Sequence, residues 1–388
     1  MHFYKNKRLI YALVFFHNLI PAYTIERLFW QEHGMNIQMV VWCEIIYAVT
    51  IVCLEFPSGL LADRFGRKKL LVIGAFFSVS EFIILPFAYS FWQFALAVFL
   101  ASFNTAFTSG SLNALLYDSL ANENSSGEFE KTLGKINAID YTASIIAALS
   151  GGIMAAIFGM NLNYYISIAS LTIAIFITFK LREPPQLITP ENLPTLKTIV
   201  ETTVKFLKSH LGLLRVLLNV VVVAACVSYI YEFWQLYLEA FAFPVAFFGL
   251  VSACLSVAVI PASLASGWLL KRFGHKQIVL FASFVCGGGI LFAATVQNIL
   301  GIAGLMLACA SNAVISPVAF GYLHRFADDN ARATIESSVS LGERVISIVL
   351  GLVFGYISNI YNVNSGFYFI GGLIILTSVF LTFSYKNK

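Results

Sequence analysis

The chain has 388 residues, of which 59% are hydrophobic and only 11% charged, with a mean hydropathy of +0.82 and a formal net charge of +4. Soluble domains carry about 25% charged residues, so the composition excludes a soluble globular protein and specifies one that crosses a bilayer many times. The small positive balance follows from where Lys and Arg sit along the chain and offers no basic surface for nucleic acid.

From the N-terminus, the first apolar run follows Lys5-Asn6-Lys7-Arg8 and outlasts the apolar region of a cleavable signal, so no such signal is expected. A helix needs about 20 apolar residues to cross hydrocarbon. Runs of that kind stand near 9–30, 37–61, 70–89, 92–119, 134–158, 162–180, 212–239, 245–270, 277–296, 299–323, 334–358 and 364–384. They lack the alternation of barrel strands. Twelve transmembrane helices are therefore expected.

Between the second and third runs lies Gly59-Leu60-Leu61-Ala62-Asp63-Arg64-Phe65-Gly66-Arg67-Lys68-Lys69. A second copy, Gly267-Trp268-Leu269-Leu270-Lys271-Arg272-Phe273-Gly274-His275-Lys276, lies between the eighth and ninth. They share Gly, Leu, Arg, Phe, Gly and Lys at matching offsets. The expected architecture is thus an all-α membrane protein of two pseudo-symmetric six-helix bundles, residues 1–181 and 211–388. The polar segment 182–210 links them, with an amphipathic helix expected over Lys197–His210 along the membrane surface.

Of the 24 Lys and Arg residues, all but Arg27 and Arg344 fall on one side of this topology. The opposite connections, such as Gln31–Asn36, Gly159–Asn163 and Asn359–Asn364, contain none. The positive-inside rule then places both termini in the cytoplasm of a cell whose plasma (inner) membrane holds the chain. The six Cys residues lie in apolar runs and are read as packed thiols. His17 and His324 are isolated, and no metal motif, nucleophile elbow or phosphate loop appears, so no catalytic residue, metal ligand or cofactor is expected.

Ionisable groups are costly in a span and usually face a cavity or a partner. The first run carries His17, Asn18, Glu26 and Arg27; the last two point about 100° apart on a helix and need not pair with each other. Glu44 and Glu55 occupy the second run, the latter just before Phe56-Pro57, and Glu81 the third. Asn104, Thr108, Ser111 and Asp118 lie along one side of the fourth, while Asp140, Ser144 and Gly151 share a face of the fifth. In the seventh, Ser228, Glu232, Gln235 and Glu239 form one helical stripe among Tyr229, Tyr231, Trp234 and Tyr237. The eleventh repeats the pattern with Glu336, Ser340, Glu343 and Ser347; Arg332 can pair with Glu336 at i, i+4, and Arg344 calls for an acid from another helix.

Aromatic faces beside carboxylates suit an organic cation that keeps little hydration. The expected solute-binding residues are Glu26, Glu44, Tyr231, Glu232, Trp234, Gln235 and Glu239. The plainer reading makes the rings interface-belt residues and the acids solvated walls of a vestibule. Burial disfavours the charged form of a carboxylate, so Glu232, Glu55, Asp140 and Glu343 are candidates to carry a proton. Glu232 ranks first, being mid-helix beside the proposed cation site.

The pattern Gly59-x-x-x-Asp63-Arg64-x-Gly66-Arg67-Lys68 resembles the loop signature of the major facilitator superfamily, and twelve runs with a degenerate second copy extend the resemblance to the whole chain. Gly59 is read as permitting close approach of a neighbouring helix, Asp63 as ending a helix and Gly66 as allowing the tight turn. The resemblance implies that Gly59, Asp63, Arg64, Gly66, Arg67 and the matching Asp118 act in gating rather than in solute binding. Ser150-Gly151-Gly152 and Leu181-Arg182-Glu183-Pro184 resemble features of the drug-efflux branch. Ala147 and Ala148 stand where its antiporter signature has Gly and Pro, and the fourth run lacks the Arg such antiporters usually carry.

The function expected from these features is proton-coupled efflux of an amphipathic or cationic organic compound by alternating access. The partners are a small-molecule solute, protons and the lipid bilayer, with the chain acting as a monomer. The alternatives are a transporter of a specific metabolite (a siderophore, sugar or amino-acid derivative), for which Arg27 and Arg344 could serve an anionic group, and a scaffold or receptor on the same fold.

Overall fold

A computed structural model describes residues 4–123, 125–185, 211–324 and 329–386. The expected linker helix over Lys197–His210 lies outside the described residues, as do the side chains of Glu55, Asp63, Arg332 and Glu336. The helices are α1 (Tyr4–Asn18), α2 (Glu26–Glu32), α3 (Ile37–Phe65), α4 (Arg67–Ile84), α5 (Phe91–Thr108), α6 (Ser111–Ala121), α7 (Phe129–Phe158) and α8 (Met160–Lys180). They continue with α9 (Leu211–Glu239), α10 (Phe248–Leu270), α11 (His275–Val296), α12 (Ile299–His324), α13 (Asp329–Ile360) and α14 (Val363–Lys386).

Among the described residues, eleven helices are long and apolar enough to cross a membrane; α1 with α2, bent by 46°, make a twelfth if the pair is one span. The expected spans are therefore present, with the first one broken. The chain divides into two compact units. One holds α1 to α8 together with Pro244–Ser252; the other holds α9, the rest of α10 from Ala253, and α11 to α14.

The break in the first span has a visible cause. Pro21 has no N–H and cannot continue a helix from the preceding turn; the chain passes through a 3-10 turn, Pro21–Thr24, before α2 begins. Backbone groups freed at membrane depth must find partners. Ser167 Oγ accepts the Ala22 N–H at 3.3 Å, and Asn163 Nδ2 donates to the carbonyls of Pro21 at 3.3 Å and Gly151 at 2.9 Å. Asn163 and Ser167 stand one turn apart on α8. Gly151 lets α7 approach the turn, since a Cβ there would lie 2.6 Å from the Pro21 carbonyl oxygen.

In the second unit, α9 is unbroken over 29 residues. Lipid supplies no hydrophobic drive between helices, so close packing and interhelical hydrogen bonds hold them. A Cβ at Gly289 of α11 would lie 2.6 Å from the Gly304 oxygen of α12, and one at Gly304 2.5 Å from the Gly289 oxygen. Ser283 Oγ donates to Asn219 Oδ1 at 2.8 Å, and Asn219 Nδ2 donates to Ser378 Oγ at 3.3 Å, tying α9, α11 and α14.

Candidate solute and gating sites

At the start of α2, Arg27 is buried among acids from three helices. Its Nη2 is 2.5 Å from Glu44 Oε1 of α3, and its Nη1 is 3.7 Å from Glu26 Oε2. Its guanidinium lies 4.5 Å from the centroid of the Trp30 ring. Glu81 of α4 is only 7% exposed and is within electrostatic reach of Glu26, Arg27 and Glu44. The neighbours Glu26 and Arg27 do approach each other, at the start of α2. Three carboxylates around one guanidinium carry a formal excess of negative charge when ionised. Glu44 remains partly exposed and Tyr23 is 50% exposed, its ring edge-on to Phe82.

Glu26 and Glu44 were legible as solute-site candidates; Glu81, in an apolar run on another helix, was not assigned. The only sequence signal for it is a lone acid in a hydrophobic stretch.

Along α9, Glu232 is half-buried, Glu239 exposed and Gln235 buried. Tyr231 is 44% exposed beside the stripe, with its hydroxyl bonded to Cys309 of α12, whereas Trp234 is buried. Tyr229 and Tyr237 are buried. The Tyr229 hydroxyl donates to the Ser347 carbonyl at 2.6 Å and its ring stacks on Phe354, while Tyr237 donates to the Ala293 carbonyl at 3.0 Å. Both rings pack within the second unit, Tyr229 on Phe354 and Tyr237 near Phe367. Glu343 is half-buried next to Arg344, and Arg344 forms no ion pair among the described residues. Asp140 of α7 is half-buried and accepts from Ser144 Oγ at 3.4 Å.

The first loop copy is held from far along the chain. Gly66 takes φ 96°, ψ 141°, a conformation that favours glycine, and α4 starts immediately after it. Arg67 pairs with buried Asp118 of α6. Glu183 Oε1 accepts the Arg67 N–H at 2.9 Å and Oε2 accepts the Lys68 N–H at 2.7 Å, which places a carboxylate on the otherwise unsatisfied start of α4. In the sequence Glu183 stands out only within Leu181-Arg182-Glu183-Pro184, and nothing local signals a cap for α4. Arg64 is exposed, with its guanidinium 5.5 Å from the Phe65 ring centroid.

Two readings of this loop are corrected. Among the described residues a Cβ at Gly59 would meet nothing within 4 Å, so none of the described helices packs closely there; Gly59 instead lines a cavity of about 300 Å³ with Ser58, Arg67 and Ser109. Asp63 does not end its helix, because α3 runs on to Phe65, where Gly66 turns the chain.

Among the described residues, no group of three or more His, Cys, Asp or Glu side chains could hold a metal ion. The profile of the family described as Major Facilitator Superfamily matches residues 9–238 and 217–388. The multidrug resistance protein MdtG of Escherichia coli (strain 55989 / EAEC) is 24% identical over 356 residues, covering 90% of this chain and 85% of that protein. A mutant of the nucleoside transporter NupG has a similar structure, with a TM-score of 0.82 at 16% identity over 98% of this chain and 99% of that one. The POT family transporter PepTSo gives 0.70 at 12% identity over 99% and 98%. At such identities the structural likeness speaks for the fold alone. The family profile covers nearly the whole sequence in two overlapping matches, and on that ground the chain belongs to the Major Facilitator Superfamily.

Proposed function

We propose that this transporter exports an amphipathic or cationic organic compound across the plasma membrane in exchange for protons, with both termini cytoplasmic and one chain sufficing for transport. The observation that carries the reading is the cluster of Glu26, Glu44 and Glu81 around Arg27, flanked by Trp30 and Tyr23. Arg27 balances one carboxylate, which leaves acidic capacity for a second cation beside aromatic faces. A proton and an organic cation competing for that capacity exchange without further machinery. The resemblance to a protein named for multidrug resistance supports the same reading. Within the second unit, Glu232 with Tyr231, Trp234, Gln235 and Glu239 is the first solute and proton candidate, and Asp140 and Glu343 are further proton candidates. The Arg67–Asp118 pair, with Gly66 and Arg64, is proposed to latch one state of the alternating cycle.

The test is proton flux in proteoliposomes holding an imposed pH gradient, with tetraphenylphosphonium added. The cation should dissipate the gradient in the wild type and fail to do so in Glu44→Gln and Glu232→Gln. If no lipophilic cation moves protons in protein shown to be folded, the cation reading falls and a neutral or anionic metabolite replaces it.

A further inference from the structure

Inside the first unit lies a cavity of about 250 Å³, where α1 ends at Asn18 and the fourth span is interrupted at Ser109-Gly110 between α5 and α6. Its polar wall is formed by His17 and Asn18 of α1, Asn104 of α5, Asn113 of α6 and Asp140 of α7, and Leu71 and Ala75 of α4 supply an apolar side. These groups are not consumed by one another. Asn104 is 9% exposed, and its Oδ1 has no hydrogen-bond partner among the described residues. A Cβ on Gly74 would come within 3.3 Å of that oxygen, so glycine leaves the amide its room. Asn18 commits one N–H to the Val14 carbonyl at 3.0 Å, and Asp140 meets Ser144.

Leaving a buried amide unsatisfied costs about 1–3 kcal/mol, so an unpartnered Asn104 marks a place where something else makes the bond. A carboxamide presents a carbonyl acceptor beside an NH2 donor. Three of them around one cavity complement another amide, whose edge offers the same two groups in reverse. The imidazole of His17 can donate or accept, and the Asp140 carboxylate accepts a further N–H or O–H. The Leu71 and Ala75 side suits the face of a ring, and the volume admits about one ring of fragment size.

We propose that this cavity is a binding site for a neutral ring bearing a carboxamide or lactam, separate from the acidic cluster at Arg27. The site stands on its own geometry and does not need the cation reading.

The experiment is equilibrium binding of radiolabelled nicotinamide, a planar ring with a primary amide, to the purified full chain in detergent. Methyl nicotinate, with the same ring and no amide N–H, serves as competitor. Saturable binding is expected, with methyl nicotinate and tetraphenylphosphonium both failing to displace it. Asn104→Leu and Asn113→Ala should each weaken binding by about tenfold. Asn113 is exposed, so its variant remains informative if the Asn104 variant does not fold. Absence of saturable binding to folded protein, equal displacement by methyl nicotinate, or unchanged affinity in the folded variants would overturn the site and leave a cavity that holds only water. Absence of nicotinamide binding to wild-type protein that still shows cation-driven proton flux would sink this proposal alone.

Discussion

The two copies of the charged loop begin from nearly the same residues and are secured in different ways. In the first, Gly66 adopts a backbone conformation suited to glycine, Glu183 caps α4 from more than a hundred residues away, and Arg67 pairs with buried Asp118. In the second, Gly274 has φ −74°, and its N–H is taken by Gln277 Oε1 at 3.1 Å, three residues on. Lys271 and Arg272 are exposed, and Arg272 lies 4.4 Å from the centroid of the Trp268 ring. The first copy is fastened by long-range charge; the second has a local cap at Gly274 and rests His275 and Lys276 against the Tyr322 ring of α12. The replacement of Asp63 by Lys271 in the repeat hints at this asymmetry; Glu183 and Gln277 supply its mechanics.

The contrast is sharpest for the ion pair. Breaking a buried pair from one side costs about 3–5 kcal/mol, so Asp118→Ala should lower the thermal midpoint in detergent strongly. Lys271→Ala, at an exposed position, should change stability by less than about 0.5 kcal/mol. Equal losses would show that the two loops are fastened alike.

Next comes the cap. Glu183→Ala removes the cap from two N–H groups at the start of α4 and should cost about 0.5–2 kcal/mol, read as faster hydrogen exchange at Arg67 and Lys68. For Gln277→Ala the expected loss is about 0.5–1 kcal/mol, confined to the first turn of α11. The glycines test the backbone side of the comparison. Gly66→Ala places a side chain at φ 96° and 3.2 Å from the Glu183 carboxyl, a strain of about 1–3 kcal/mol. Gly274→Ala has an ordinary φ, with only Gln277 Oε1 at 3.7 Å, and should be neutral or stabilising by up to about 1 kcal/mol. Paired thermal melts of these two variants decide whether the backbone asymmetry is real.

The spans were legible because hydrocarbon thickness and backbone satisfaction leave few ways to write a crossing helix. The break in the first span was not anticipated, although Pro21 within the run carries the signal. A proline can kink a helix or end it, and the outcome depends on whether neighbours accept the freed groups. Here Asn163 and Ser167 do so, from a helix far along the chain. The gathering of Glu81 with Arg27 and the cap by Glu183 were hidden for a related reason. Helical periodicity reports which residues share a face; it says nothing of which faces meet. Tyr237 is the converse case: close to Glu232 in sequence, it is spent on packing against α11 and α14.

The first unit is also buckled at its ends. Asn6 donates from Nδ2 to Ser119 Oγ at 2.9 Å and to the Arg182 carbonyl at 2.8 Å, and its Oδ1 accepts the Arg182 N–H at 2.9 Å. With Glu183 beside it on α4, the last residues of the unit close contacts begun by the first. During synthesis, then, the opening helices reach the bilayer long before the residues that fasten them have left the ribosome. Until Arg182 and Glu183 emerge, Asn6 and the first amides of α4 must be served by water or lipid headgroups. Closure of this unit is timed by the arrival of its final turn.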